Sequence, residues 1–244
     1  MDLKGRTALV TGGAVRVGRA IALGLADRGA HVAVTYRSSE GPARETVAAL
    51  QARGVRALAV RCDQRYPAQI RAAVEEIEAQ LAPIDVLVNS ASIFERTPFA
   101  EATLEDWDSH LEVNLRGPWL FAQAVGPGMQ ARGEGAIVNM VDIAAERPFA
   151  GYLPYSVSKA GLVALTKGLA RVLAPQVRVN GIAPGAVLWP EDYPDDQKAA
   201  YLEKTPLRRA GTPEDAAAAV LFLIEGSDFV TGVILPLDGG RSLI

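Results

Sequence analysis

Short β-branched runs alternate with longer Ala/Leu-rich stretches along this chain, and that alternation restricts it to repeated βαβ units around a parallel sheet. The spacing predicts strands at 7–11, 31–36, 55–61, 84–89, 136–141, 177–182 and 233–236. These runs are apolar at successive positions, so helices are expected to cover both faces of the pleat. Helical patterns fill the intervals at 15–28, 43–53, 68–81, 104–129, 152–173 and 213–224. Gly29 and Gly54 follow two of these helices, Pro175 stops another, and Thr212-Pro213 with Glu214 and Asp215 opens the last. No linker or internal repeat divides the 244 residues, which predicts one doubly wound α/β domain. The one long irregular stretch, 184–210, contains Pro190, Pro194 and Pro206 and is expected to act as a substrate lid. Its acidic residues Glu191, Asp192, Asp195 and Asp196 have no histidine beside them and read as a solvated surface, not a metal site.

Composition removes several classes. With 49% hydrophobic and 22% charged residues the chain has the balance of a globular domain. A net charge of −3 argues against a nucleic-acid partner. The single cysteine, Cys62, excludes an intramolecular disulfide framework and a cysteine-rich zinc site, and reads as a small buried hydrophobe. The opening MDLKGRTALVTGG lacks the apolar core of a signal peptide, and no run of about 18 apolar residues appears. A cytoplasmic protein with no membrane partner is expected. His31 and His110 have no neighbours that suggest a metal site or a base.

After the first strand comes Thr11-Gly12-Gly13-Ala14-Val15-Arg16-Val17-Gly18, opening directly into a helix. Small residues let the backbone approach a pyrophosphate, and a helix N-terminus supplies free N–H groups and a positive dipole end. A dinucleotide site is expected there. An NAD site would carry Asp or Glu at the end of the second strand, but this chain has Tyr36-Arg37-Ser38 and no carboxylate before Glu40. A guanidinium and a hydroxyl suit a 2′-phosphate, so the expected cofactor is NADP; a plain solvated arginine is the other reading of Arg37. Asp63, at the end of the third strand, has two readings: acceptor for an adenine amino group, or turn-forming Asp.

Tyr155 and Lys159 stand four apart, on one face of a predicted helix. A nearby ammonium is expected to lower the phenol pKa from its ordinary value of about 10 and make it a usable proton donor. Taken with the glycine loop, Asp63, the Asn89-Ser90-Ala91-Ser92 segment, Asn114 and Pro184-Gly185, this pair makes the chain resemble the short-chain dehydrogenase/reductase family over essentially all 244 residues. The resemblance implies a seven-stranded parallel Rossmann sheet, with NADP lying across the strand ends on Gly12, Val17, Gly18, Asn89, Ser90, Ala91, Pro184 and Gly185. It implies a homotetramer built through the 104–129 and 152–173 helices. It also implies that Tyr155 is the proton donor, that Lys159 binds the nicotinamide ribose and lowers the phenol pKa, and that Asn114 holds a water in the proton relay.

Three departures point to a branch. Most members have glycine where Arg16 stands, Asn-Asn-Ala-Gly at 89–92, and serine where Asp142 stands, thirteen residues before Tyr155. These substitutions resemble pteridine reductases, in which a ring at the place of Phe94 sandwiches a pterin against the nicotinamide. Ordinary packing is the alternative for Phe94. The segments 183–191 and 238–243 are also similar to that branch. A ketone reductase uses the serine hydroxyl to polarise an oxygen, whereas a pterin needs a nitrogen protonated. A carboxyl group in a partly dry cleft has a raised pKa and serves as an acid. Arg16 steers the pterin oxygen or simply binds pyrophosphate. Ser92 lies on the substrate side, and Trp189 covers the pocket or packs at an interface. The expected activity is NADPH-dependent reduction of a C=N bond of a dihydropterin. Its rivals are a carbonyl reductase such as a 3-oxoacyl-carrier-protein reductase, a non-catalytic NADP sensor and, remotely, a methyltransferase.

Overall fold

The computed structural model describes residues 1–189 and 193–244. Pro190, Glu191 and Asp192, three residues of the expected lid, lie outside the described residues. Seven parallel strands form one sheet: β1 (Thr7–Thr11), β2 (His31–Tyr36), β3 (Ala57–Arg61), β4 (Val86–Asn89), β5 (Gly135–Met140), β6 (Val177–Pro184) and β7 (Ile234–Leu237). Their order is β3-β2-β1-β4-β5-β6-β7. The order reverses between β1 and β4, where Thr11 pairs with Asn89. A doubly wound sheet opens its ligand crevice at that reversal, because connections leave the two strands in opposite directions.

Alternate residues of each strand feed two separate cores. Ala8, Val10, Val32, Val34, Val86 and Val88 pack with Ile21 and Leu25 of α1 (Arg16–Asp27) and Val220 of α8 (Pro213–Leu221). Leu9, Ala33, Leu87, Ile137 and Val179 face the other way. They meet Ile70 and Ile77 of α3 (Pro67–Gln80) and Phe121 and Met129 of α5 (Gly117–Arg132). Fully burying a side chain of this size contributes about 1.5–3 kcal/mol. Two cores lock the sheet from both sides, so the strand ends are a rigid platform.

Three elements differ from the sequence reading. The predicted 104–129 helix is two helices, α4 (Leu104–Leu111) and α5, joined by a wider π-helical turn over Glu112–Arg116. Apolar periodicity passes through such a turn without a signal. The last helix likewise ends in a π turn, Phe222–Gly226. Within the stretch expected to be irregular lies α7 (Asp195–Glu203). Asp195 and Asp196 in its first turn complement the helix dipole, and Lys198 pairs with Asp195 at 2.8 Å. None of its residues is buried, so it has no apolar stripe for a sequence reading to find. The remaining helices, α2 (Glu40–Gln51) and α6 (Leu153–Val172), fall where expected.

Candidate active site

The crevice beside β1 is made largely of backbone. Thr11 Oγ1 accepts from Ser90 N at 3.0 Å and Ala91 N at 3.1 Å, pinning the end of β4 to the end of β1. Gly12, at φ 65°, lies so close to this junction that a Cβ would meet Ala91 Cα at 2.8 Å. A Cβ at Gly18 would run into the Gly12 carbonyl oxygen. Thr46 Oγ1 donates to Ala14 O at 2.9 Å and ties the loop to α2. Val15, which caps α1, makes no side-chain cap, so the first-turn N–H groups face the crevice without one. Arg16 sits at φ 52°, the left-handed region where a side chain is strained. Glycine serves this place without strain.

The glycine loop and the end of β4 border a cavity of about 370 Å³. Gly12, Arg16, Val17, Gly18, Tyr36, Arg37, Ser38, Asp63, Ser90 and Ala91 surround it, together with Ser92, which the sequence reading put on the substrate side. Gln64, Ile93 and Val113 line it too, and sequence reasoning missed them. Gln64 follows Asp63 directly, and Ile93 continues the Asn89–Ser92 segment, so adjacency was the available signal. Arg37 is exposed at the end of β2, and the nearest following acid, Glu40, is paired with Arg44. A glycine cradle, free helix N–H groups and a guanidinium without an ion pair among the described residues fit a dinucleotide with a 2′-phosphate.

Several expected cofactor residues stand elsewhere. Asn89 is buried in the sheet, where its Nδ2 donates to Asn139 Oδ1 at 2.8 Å and its own Oδ1 has no partner. Lys159, Pro184 and Gly185 do not line this cavity. Asp63 is held by Arg65, whose Nε reaches both carboxylate oxygens at 3.1 Å and whose Nη2 reaches Oδ2 at 2.6 Å. That pairing lowers the Asp63 pKa, and Arg65 N also donates to Oδ1 at 3.1 Å. These contacts belong to the turn-forming reading of Asp63; three donors occupy three of its four acceptor sites, and the residue still lines the cavity. Cys62 is buried, and burial, helped by the Asp63 charge, raises its pKa to about 11.

The second part of the site is made of buried side chains. Asp142 follows β5 and caps a short 3₁₀ turn, with Oδ1 accepting from Ala144 N at 2.8 Å. Its Oδ2 accepts from Tyr155 Oη, also at 2.8 Å. Lys159 Nζ donates to Met140 O at 2.8 Å and lies 5.6 Å from the centre of the Tyr155 ring. Burial raises the Asp142 pKa against the pull of its hydrogen bonds and of Lys159. Burial also lowers Lys159 to about 8, against the opposing effect of Asp142. The expectation that Lys159 depresses the phenol pKa is overturned. Tyr155 is pushed well above its ordinary value, first by burial and then by the Asp142 charge. One of the three ammonium donors is engaged by a carbonyl beside the ring, and a carboxyl group accepts from the phenol oxygen.

Asn114 lies in the π turn, not in a plain helix. Its Oδ1 accepts from Ile93 N at 2.9 Å and Ser92 Oγ at 3.0 Å, and its Nδ2 donates to Ile93 O at 3.0 Å and Ser158 Oγ at 3.1 Å. Those four bonds engage every polar atom of the side-chain amide. Phe94 is 45% exposed, stacked on Tyr152 at 4.4 Å and edge-on to Tyr155 at 4.7 Å. Tyr152 was not anticipated, although it stands one helical turn before Tyr155. Trp189 stacks on Tyr193 at 5.0 Å and meets Tyr201 of α7 edge-on at 5.2 Å, while its carbonyl accepts from Arg16 at 3.5 Å. It therefore packs within the 184–210 segment. Among the described residues no group of three His, Cys, Asp or Glu is placed to hold a metal, and no helix is long and apolar enough to cross a membrane.

A family model described as Enoyl-(Acyl carrier protein) reductase matches residues 13–242. The chain belongs to the short-chain dehydrogenase/reductase family, a family of oxidoreductases. It is 34% identical over 239 residues to the 3-oxoacyl-[acyl-carrier-protein] reductase FabG of Staphylococcus epidermidis, covering 96% of this chain and 98% of that protein. Among solved structures, a blue fluorescent protein from a metagenomic library in complex with NADPH is 38% identical, with a TM-score of 0.92 and 99% of both chains covered. A short chain dehydrogenase from Burkholderia cenocepacia in complex with NADP is 37% identical, with a TM-score of 0.91 and 99% of both chains covered.

Proposed function

We propose that this chain is an NADP-dependent reductase that adds hydrogen across a C=N bond of a flat nitrogen heterocycle of the dihydropterin class. The observation that carries the reading is the 2.8 Å hydrogen bond from Tyr155 Oη to Asp142, where a ketone reductase of this family would have a serine. NADP, when bound, supplies the hydride. Gly12, Val17, Gly18, Ser90 and Ala91 take its pyrophosphate half, Arg37 and Ser38 its 2′-phosphate, and Lys159, Pro184 and Gly185 its nicotinamide end. Arg16 supports the pyrophosphate, and Asn89 braces the strand ends beneath it.

Tyr155 delivers its proton to the ring nitrogen; Asp142 in its protonated form then donates to Tyr155 Oη across the same 2.8 Å contact, returns the proton and takes one from water. A carboxyl group with a raised pKa keeps its proton nearer to neutral pH than an exposed one, which suits it to that second role. Phe94, with one face on Tyr152, and Ser92 border the heterocycle, and the 184–210 segment closes over it through Trp189. Leu104, Trp107, Trp119, Leu153 and Val157 are exposed on α4, α5 and α6, which supports a homotetramer assembled through those helices. A cytoplasmic location accords with this chemistry.

Reduction of a 3-oxoacyl thioester is the second reading. Kinship supports it better than it supports a pterin, since the Staphylococcus relative bears that name at 34% identity. NADPH oxidation with a dihydropterin, dihydrofolate and a β-keto thioester, for the parent and for Asp142→Ser, separates the two. The proposed reading expects pterin turnover that Asp142→Ser depresses far more than it weakens pterin binding. Turnover of the thioester alone replaces it with the second reading.

A further inference from the structure

His110 is fully buried on α4, yet nothing so far gives it a task. Its Nδ1 lies 2.7 Å from Asp106 O, a carbonyl, so Nδ1 must carry the proton. Nε2 is then a lone pair, and it accepts from the backbone N–H of Glu95 at 3.5 Å. The ring also stands edge-on to Tyr155, 6.4 Å between centres. Four residues on, Asn114 holds both backbone groups of Ile93. The α4–π-turn segment therefore grips the chain on each side of Phe94, at Ile93 through Asn114 and at Glu95 through His110.

We infer that His110 is a positioning residue: with Asn114 it forms a two-point clamp that fixes Phe94 against Tyr155 and thereby sets how the substrate ring lies over the proton donor. The inference rests on the reading of Tyr155 as that donor and of Phe94 as its neighbour on the substrate side. An unclamped 93–95 segment would let Phe94 slide along Tyr152, because stacked rings resist separation more than sliding. Substrate binding would then bear the loss, since the segment must be ordered on each binding event.

The test compares His110→Phe, which keeps a ring but loses the acceptor, with His110→Gln, whose amide oxygen reaches the same N–H. His110→Asn, too short to reach Glu95, stands in should the phenylalanine not fold. Amide exchange at Glu95 is expected to quicken about three- to tenfold in His110→Phe or His110→Asn, the factor that one hydrogen bond gives, and to return toward the parent rate in His110→Gln. KM for a dihydropterin is expected to rise by a similar factor while kcat and the Kd for NADPH hold. Exchange needs no substrate, so a wrong substrate reading leaves this arm intact. Unchanged exchange and KM in the Phe and Asn variants overturn the clamp. Equal losses in the Gln variant do so too, because they show that the imidazole only fills space.

Discussion

On the β1–β3 side of the crevice, a ligand meets mostly backbone, held by Thr11 and by glycines that leave no room for a Cβ. On the β5–α6 side stand Asp142, Tyr155 and Lys159, three buried groups whose charges depend on one another. The first surface is fixed by the chain trace, so an exposed side chain such as Arg37 is exchangeable without disturbing it. The second is fixed by mutual hydrogen bonding in a low-dielectric setting, where changing one member alters the rest. Cofactor preference and chemistry should therefore respond separately to substitution.

The largest effect should come from the second side. Tyr155→Phe removes the only proposed donor, and single-turnover absorbance should show hydride transfer slowed by about 10²–10⁴-fold. NADPH affinity, measured by fluorescence titration, should stay near that of the parent; a matching loss of affinity would show that the two sides are not independent. Arg37→Ala comes next. Losing a hydrogen bond to a charged phosphate costs about 1.5–3 kcal/mol, so KM for NADPH should rise by about 10–150-fold while KM for NADH barely moves.

Two smaller effects sharpen the electrostatic contrast. Lys159 carries its charge below a pKa of about 8 and loses it above, so turnover should fall on the alkaline side through that value. Lys159→Arg, charged at every accessible pH, should move that limb upward; a limb that stays in place belongs to another group. Asp142 has a raised folded-state pKa, so its stabilising contribution is complete below the ordinary Asp range and is lost as pH rises through the folded value. Asp142→Asn should consequently melt about 1–4 °C higher than the parent at pH 7, with the advantage vanishing in acid, even as activity falls.

The same division governs how much was legible in the sequence. The glycine loop and the strand ends were readable because their chemistry is local: consecutive residues make the turn, the cradle and the helix start. The Asp142–Tyr155 pair was readable only through the family resemblance, which places the residue thirteen before the tyrosine beside its phenol; spacing by itself does not bring a strand end and a following helix together. Tyr152 under Phe94, His110 against Glu95 and Arg65 on Asp63 were not, because these contacts depend on side-chain direction or tertiary packing. The direction of the Tyr155 pKa was misjudged for a related reason. Helical spacing brought Lys159 near the ring, but only the fold shows that its ammonium faces the Met140 carbonyl.

Arg16 has a consequence for anyone who would engineer this protein. Most of the family carries glycine at that place, and a left-handed non-glycine residue is disfavoured by about 1–2 kcal/mol. Stabilisation by family averaging would choose glycine, gain heat tolerance, and discard the guanidinium that joins the first crevice to residue 189. Melting temperature would then reward the loss of what distinguishes this chain from its relatives, and a screen that scored heat resistance alone would select against its own target.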